Sequence, residues 1–150
     1  MQVRVLWIGK TRLPGVAELT EEYSRRLGRF CEFRAGEIRG AGVKGKGKTD
    51  PDTALLARSD GSYRVVLDPS GRLWSSEDLA GFLEKLGERG QRSVSFCVGG
   101  AEGFSRQFRQ QADLLLSLSP LTLPHELARV VLLEQLYRAF ALLAHHPYPR

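Results

Sequence analysis

Apolar residues along this chain fall into short runs that alternate with stretches of helical spacing. Residues 2–8 form a β-branched and aromatic run that ends at Gly9, which predicts a first strand. Pro14 stands near the start of a helix. Val16, Leu19, Tyr23 and Leu27 recur at three- and four-residue spacing and carry it to about Arg29. Residues 31–39 read as a second strand, weakened by Gly36. Asp50 or Asp52 is placed to cap a short helix over Thr53–Arg58. Tyr63–Leu67 is a clear strand, followed by a turn at Asp68-Pro69-Ser70-Gly71. Ser75 or Ser76 caps a helix through Leu79, Phe82, Leu83 and Leu86 that stops near Gly90. Ser93–Val98 is the next strand and runs into Gly99–Gly103. A short helix to about Gln111 and a short strand, Asp113–Ser117, follow. A long helix starting at Pro124 or His125 closes the chain.

Strands alternating with helices imply an α/β fold, a mostly parallel sheet flanked by helices. Neither an internal repeat nor a linker interrupts the pattern, so residues 1–150 are expected to form one domain. Such sheets bind ligands beyond the carboxyl ends of their strands. Three segments meet that description: Leu67-Asp68-Pro69, Gly99-Gly100 and the turn Ser119–Pro124. The turn is apolar yet bracketed by Pro120 and Pro124, which suits packing against core or ligand better than solvation. The final helix is apolar almost all the way round, through Leu127, Val130, Val131, Leu132, Leu133, Leu136, Tyr137, Phe140, Leu142 and Leu143. A helix of that kind is buried on more than one side, and in so short a chain the second side is assigned to another subunit.

The net charge of +5 and pI of about 9.6 bring in an acidic partner, with nucleic acid first in line. Most of that charge sits in Arg39–Lys48, ten residues holding four cations, four glycines and no acid. The stretch is read as a phosphate-contacting arm that orders on RNA, against the alternative of a solvated loop. It fails the Walker A spacing. No apolar run approaches a membrane span, and the N-terminus reads as a strand and not a signal peptide. Cys31 and Cys97 match no metal spacing and are expected to be reduced and buried in a cytoplasmic protein.

Gly99-Gly-Ala-Glu-Gly103 lets backbone approach a ligand, but it is not GxGxxG and lacks the later acidic residue of a dinucleotide site. No Ser-His-Asp, Cys-His or metal constellation is legible among the three histidines, His125, His145 and His146. That favours a reaction needing mainly positioning, and methyl transfer from a sulfonium donor fits. Arg129 shares a helix face with Leu133, Leu136 and Phe140. It is read as a first-turn arginine reaching solvent, the alternative being a buried cation with a partner or anion. Glu134 and Arg138 read as a surface-type helix pair.

Three stretches together carry a resemblance: Phe96–Phe104, Leu116–Val130, and Leu133–Phe140 with His146-Pro147-Tyr148 after it. They resemble the RlmH (YbeA-type) ribosomal RNA methyltransferases of the SPOUT superfamily, and the likeness extends over the whole chain. It implies an α/β domain whose C-terminal segment threads a trefoil knot, an exception to the rule against knotted chains. It also implies a homodimer that binds S-adenosylmethionine and methylates N3 of a pseudouridine in 23S ribosomal RNA. Carried over by position, the donor would contact Leu67, Gly100, Ser119, Pro120, Leu121, Thr122, Leu123 and Pro124. The proton leaving N3 would need a base or a stabilising cation, with Tyr148, His125 and Arg129 as candidates, and His146 and Arg138 behind them. The tail Tyr148-Pro149-Arg150 departs from the family's Tyr-His ending, and the helix before the third strand lacks the usual Lys-Glu-Gly segment. Two competing readings are a non-catalytic ribosome- or RNA-binding factor with a degenerate donor site, and a small phosphate- or nucleotide-binding enzyme.

Overall fold

The computed structural model describes residues 1–39 and 50–148. The glycine- and lysine-rich stretch read as an RNA arm, beyond Arg39, and the Pro149-Arg150 ending lie outside the described residues. The elements are β1 (Gln2–Ile8), α1 (Pro14–Leu27), β2 (Glu32–Ile38), α2 (Pro51–Arg58), β3 (Tyr63–Leu73), α3 (Ser76–Glu88), β4 (Ser93–Val98), α4 (Arg106–Arg109), β5 (Leu114–Ser117) and α5 (His125–Leu143). All five strands are parallel, in the order β2-β1-β4-β3-β5. The expected α/β architecture is the observed one.

Alternation along the strands sends side chains to two cores. Val3, Val5, Trp7, Val65, Val94, Phe96 and Leu116 pack under α1, α3 and α5. Leu6, Val66 and Cys97 face the other way, against Leu55 of α2 and Phe108 of α4. Burial pushes the Cys97 thiol up to about 12 and the Cys31 thiol up to about 11, so both stay protonated at neutral pH. Local signals place the helix starts. Asp50, not Asp52, caps α2, and Ser75, not Ser76, caps α3 through a reciprocal box with Asp78.

Two expectations change. The β3 strand does not end at Leu67. It runs to Leu73, and Asp68–Gly71 forms a bulge within it, so that Leu67 and Arg72 both face Leu116 of β5. The Asp68 side chain accepts from the Ser70 amide at 2.8 Å and from the Ser70 hydroxyl, so the turn chemistry read from sequence is present inside the strand. Gly71 permits the bulge, because a Cβ there would lie 2.6 Å from the Leu115 carbonyl carbon and the Leu116 nitrogen. The second change concerns α5. It lies against both α1 and α3, so its own chain covers more than one of its sides. What stays exposed is a narrower stripe, Leu127, Val131 and Leu142.

Candidate functional site

In the sheet order β4-β3-β5, the carboxyl ends of three neighbouring strands stand side by side. The bulge after Leu67, the Gly99–Gly103 turn and the Ser119–Pro124 turn therefore stand at the same end of the sheet, on neighbouring strands. The structure brings together the three segments that the sequence marked separately.

Each segment has a local cause. Gly99 meets Gly103 so closely that a Cβ would sit 3.2 Å from its backbone, and Gly103 itself holds φ +70°. Gly100 faces the open side, its nearest neighbour being the Ile8 carbonyl at 3.9 Å from a built Cβ. The β5–α5 turn is shaped by serines: Ser117 Oγ donates to the Ser119 carbonyl at 3.1 Å, and Ser119 Oγ accepts from the Leu121 amide at 2.9 Å. The amides of Thr122 and Leu123 have no hydrogen-bond partner among the described residues, and Pro120 and Pro124 have no N–H to offer. Leu121 is 75% exposed at the tip. An apolar turn with free backbone donors is the lining that a flat heteroaromatic ring with polar edges needs. Asp68, in the bulge, reaches Arg109 at 3.6 Å. Burial pulls its carboxyl upward, but Ser70 and Arg109 outweigh that and hold it below the ordinary aspartate value.

Arg129 corrects the sequence reading. It does not reach solvent and is 1% exposed. Its guanidinium stacks 4.2 Å from the Trp7 ring centre and donates through Nη1 to the Thr11 hydroxyl. Burial lowers its pKa while Glu126 and Glu37 oppose that, and an arginine remains a cation. Its Nε and the Trp7 Nε1 are buried without partners. Glu126, one helical turn before it, accepts from the Arg12 amide at 2.9 Å and the Leu13 amide at 3.1 Å. Glu37 accepts from the Thr11 amide at 3.2 Å. The loop after β1 is thus bolted to the first turn of α5, directly behind the donor-type turn. Glu37, Thr11 and Glu126 escaped sequence reasoning because their partners lie up to 118 residues away.

The Leu13 amide, and then the Arg12 amide, hold the Glu126 carboxyl below the ordinary glutamate value against the opposing pull of burial. A depressed carboxylate stabilises above its unfolded pKa and loses that contribution as pH falls through the folded one. The Arg12 and Leu13 amide resonances are therefore expected to stay fixed at neutral pH and to move only below about pH 4. Shifts that begin near pH ~6 would contradict this anchor.

The catalytic candidates do not meet within the chain. His125 and Arg129 stand at the start of α5, a 19-residue helix spanning roughly 28 Å. Tyr148 and His146 come after its far end and line a separate groove of about 330 Å³ with Arg138. There the Glu134–Arg138 pair is more than a solvated helix pair. Arg138 Nε donates to both Glu134 oxygens at 3.2 Å, and its guanidinium lies 4.7 Å from the Tyr148 ring centre. Burial first, then Tyr23 and Glu134, raise the Tyr148 phenol above its ordinary value. A phenol held neutral donates a hydrogen bond at neutral pH and does not collect a proton.

Among the described residues no group of three or more His, Cys, Asp or Glu side chains is placed to hold a metal. No helix among them is long and apolar enough to cross a membrane.

The family profile described as predicted SPOUT methyltransferase matches residues 1–149. The chain belongs to the SPOUT methyltransferase family. Its relatives include a ribosomal RNA large subunit methyltransferase H of Thermus thermophilus, 45% identical over 150 residues, covering 100% of this chain and 99% of that one. The protein of the same name from Koribacter versatilis is 39% identical, with 99% and 97% covered. Among solved structures, a methylase-family protein from Neisseria gonorrhoeae superposes with a TM-score of 0.58 at 13% identity, covering 98% of this chain and 95% of that one. A Legionella pneumophila methyltransferase with bound S-adenosylmethionine gives 0.56 at 15%, covering 93% and 66%. At such identities these neighbours show the fold, and the fold is that of the SPOUT family.

Proposed function

We propose that this protein transfers a methyl group from S-adenosylmethionine to N3 of a pseudouridine in 23S ribosomal RNA, acting in the cytoplasm as a homodimer. The reading is supported by the β3 bulge, Gly100 and the Ser119–Pro124 turn lying at the carboxyl ends of neighbouring strands, with the Thr122 and Leu123 amides unpartnered among the described residues. Leu67, Gly100 and residues 119–124 would hold the donor, with Leu121 and Leu123 against its apolar parts. When bound, the donor supplies a methyl group already activated on a sulfonium. What this chain adds is orientation of the reacting atoms and exclusion of water.

The Glu126–Arg129 network holds the donor turn in place from behind. The acceptor nitrogen must lose a proton, and the cation Arg138 favours the anion that forms, while the buried Arg129 acts only through the turn it backs. Tyr148 serves as a hydrogen-bond donor to the base, and His125, which follows the turn directly, stands as a candidate base. The homodimer reading is supported by the stripe Leu127, Val131 and Leu142. Packing two such stripes together would bring one protomer's Tyr148 groove toward the other's donor crevice, giving a composite site. The C-terminal knot implied by the family belongs to the same proposal.

The test is transfer of labelled methyl to ribosomes from a strain lacking this modification. The Gly100→Arg variant should fold, since no atom lies closer than 3.9 Å to a Cβ there. It should lose transfer by at least about 100-fold, which corresponds to ~2.7 kcal/mol of transition-state stabilisation. No label from folded, dimeric, donor-binding wild-type protein would overturn the proposed acceptor.

A further inference from the structure

A second groove lies apart from the strand-end segments proposed to hold the donor. It has a volume of about 480 Å³ and lies between α3 and the β3–β5 edge of the sheet. Three rings form its floor: Tyr63 and Trp74 flank Phe82 with ring centres 5.5 and 5.1 Å from it. Arg72, Lys85 and Arg89 line it, and their side chains make no ion pair or hydrogen bond among the described residues. Glu77 and Asp78 sit at the Trp74 end, where Asp78 is already committed to the Ser75 amide at 3.0 Å.

We propose that this groove is an RNA-contact site that holds unpaired nucleotides of the substrate beside the donor crevice. The inference rests on the RNA methyltransferase reading above and adds to it a surface for the acceptor strand. Bases stack on aromatic faces while phosphates follow cations, and the groove is lined by both. Its upper end is continuous with the donor turn. Arg72 and Leu73 pair with Leu116 and Ser117, and Ser117 bonds Ser119. A strand leaving the crevice along the sheet edge therefore runs directly onto Trp74 and Phe82. Gly81 leaves room, with no atom within 4 Å of a Cβ.

Two variants test this: the charge reversal Lys85→Glu/Arg89→Glu, and the plug Gly81→Trp. Lys85 and Arg89 are exposed, on α3 and at its C-cap, and Gly81 is partly exposed with open space around it. Binding of a large-subunit ribosomal RNA stem-loop fragment is read by fluorescence anisotropy across salt concentrations. S-adenosylmethionine binding, oligomeric state and methyl-transfer kinetics are measured alongside. The expected result is at least tenfold weaker RNA binding for both variants. The salt slope of the charge reversal should be shallower by about 1.5, for two lost phosphate contacts. KM for RNA should rise while kcat, donor affinity and oligomeric state hold. Unchanged RNA affinity and KM would overturn the site. So would a change in oligomeric state, which would make the groove a contact between copies. If the wild-type protein transfers no methyl group, the activity reading falls, and the anisotropy still reads this groove directly.

Discussion

Arg129→Ala is expected to lower the melting temperature by roughly 6–12 °C and to abolish S-adenosylmethionine binding at concentrations that saturate the wild type. The side chain is 1% exposed, and its removal takes away the cation on Trp7 and the donor to Thr11. Deleting one member of a buried charged network costs about 3 kcal/mol or more. In a domain of this size each kcal/mol shifts the midpoint by ~2–4 °C. Donor binding suffers separately, because the loop after β1 is then tied to α5 only through Glu126, and the turn ahead of α5 loses its backing. Two further variants separate packing from positioning. Arg129→Met keeps an unbranched chain of similar length and should recover much of the stability without donor affinity. Arg129→Lys keeps the charge but loses the planar stack on Trp7 and should recover little of either. An alanine variant that melts within about 2 °C of wild type and binds donor normally would show that the network holds nothing.

Gly71→Ala should be nearly as damaging, for a reason of backbone and not of charge. The added carbon would lie 2.6 Å from the Leu116 nitrogen and 2.7 Å from the Leu115 oxygen, and a strand backbone cannot swing away as a side chain can. Either β5 moves or the bulge unwinds. Overpacking of this kind costs about 1–3 kcal/mol. The bulge sets the position of Leu67, and β5 leads into the Ser119–Pro124 turn, so both segments proposed to hold the donor move together. Thermal denaturation and donor titration should show a fall in midpoint together with a loss of affinity. The Gly100→Arg change should differ, losing affinity with an unchanged midpoint. A Gly71→Ala protein with wild-type melting and binding would mean that β3 and β5 can separate at this point without cost.

Periodicity determined a good deal of this protein. Strand one, the helix faces of α1 and α3, and the apolar turn before α5 are all local patterns, set by which side chains must leave water. The Ser75 cap and the Asp68–Ser70 turn were legible for the same reason, since their partners lie two or three residues away. The motifs around Gly99 and Ser119 were enough to suggest the family, because each is a local pattern at the carboxyl end of a strand.

Tertiary structure decided what depended on distant partners. A single apolar α5 could not tell whether its second side met another subunit or its own α1 and α3, because hydrophobic pattern records burial and not the identity of the neighbour. The placement of Arg129 was equally unreadable. A charged side chain in a first helical turn normally reaches water, and only the arrival of Trp7 and Thr11 from the other end of the chain makes burial tolerable. The extension of β3 through its bulge depended on a glycine whose Cβ position lies 2.6 Å from the backbone of β5, a pairing that no local signal encodes. The separation of Tyr148 from His125 within the chain likewise follows from the rigid length of α5, which fixes how far apart its two ends must stand.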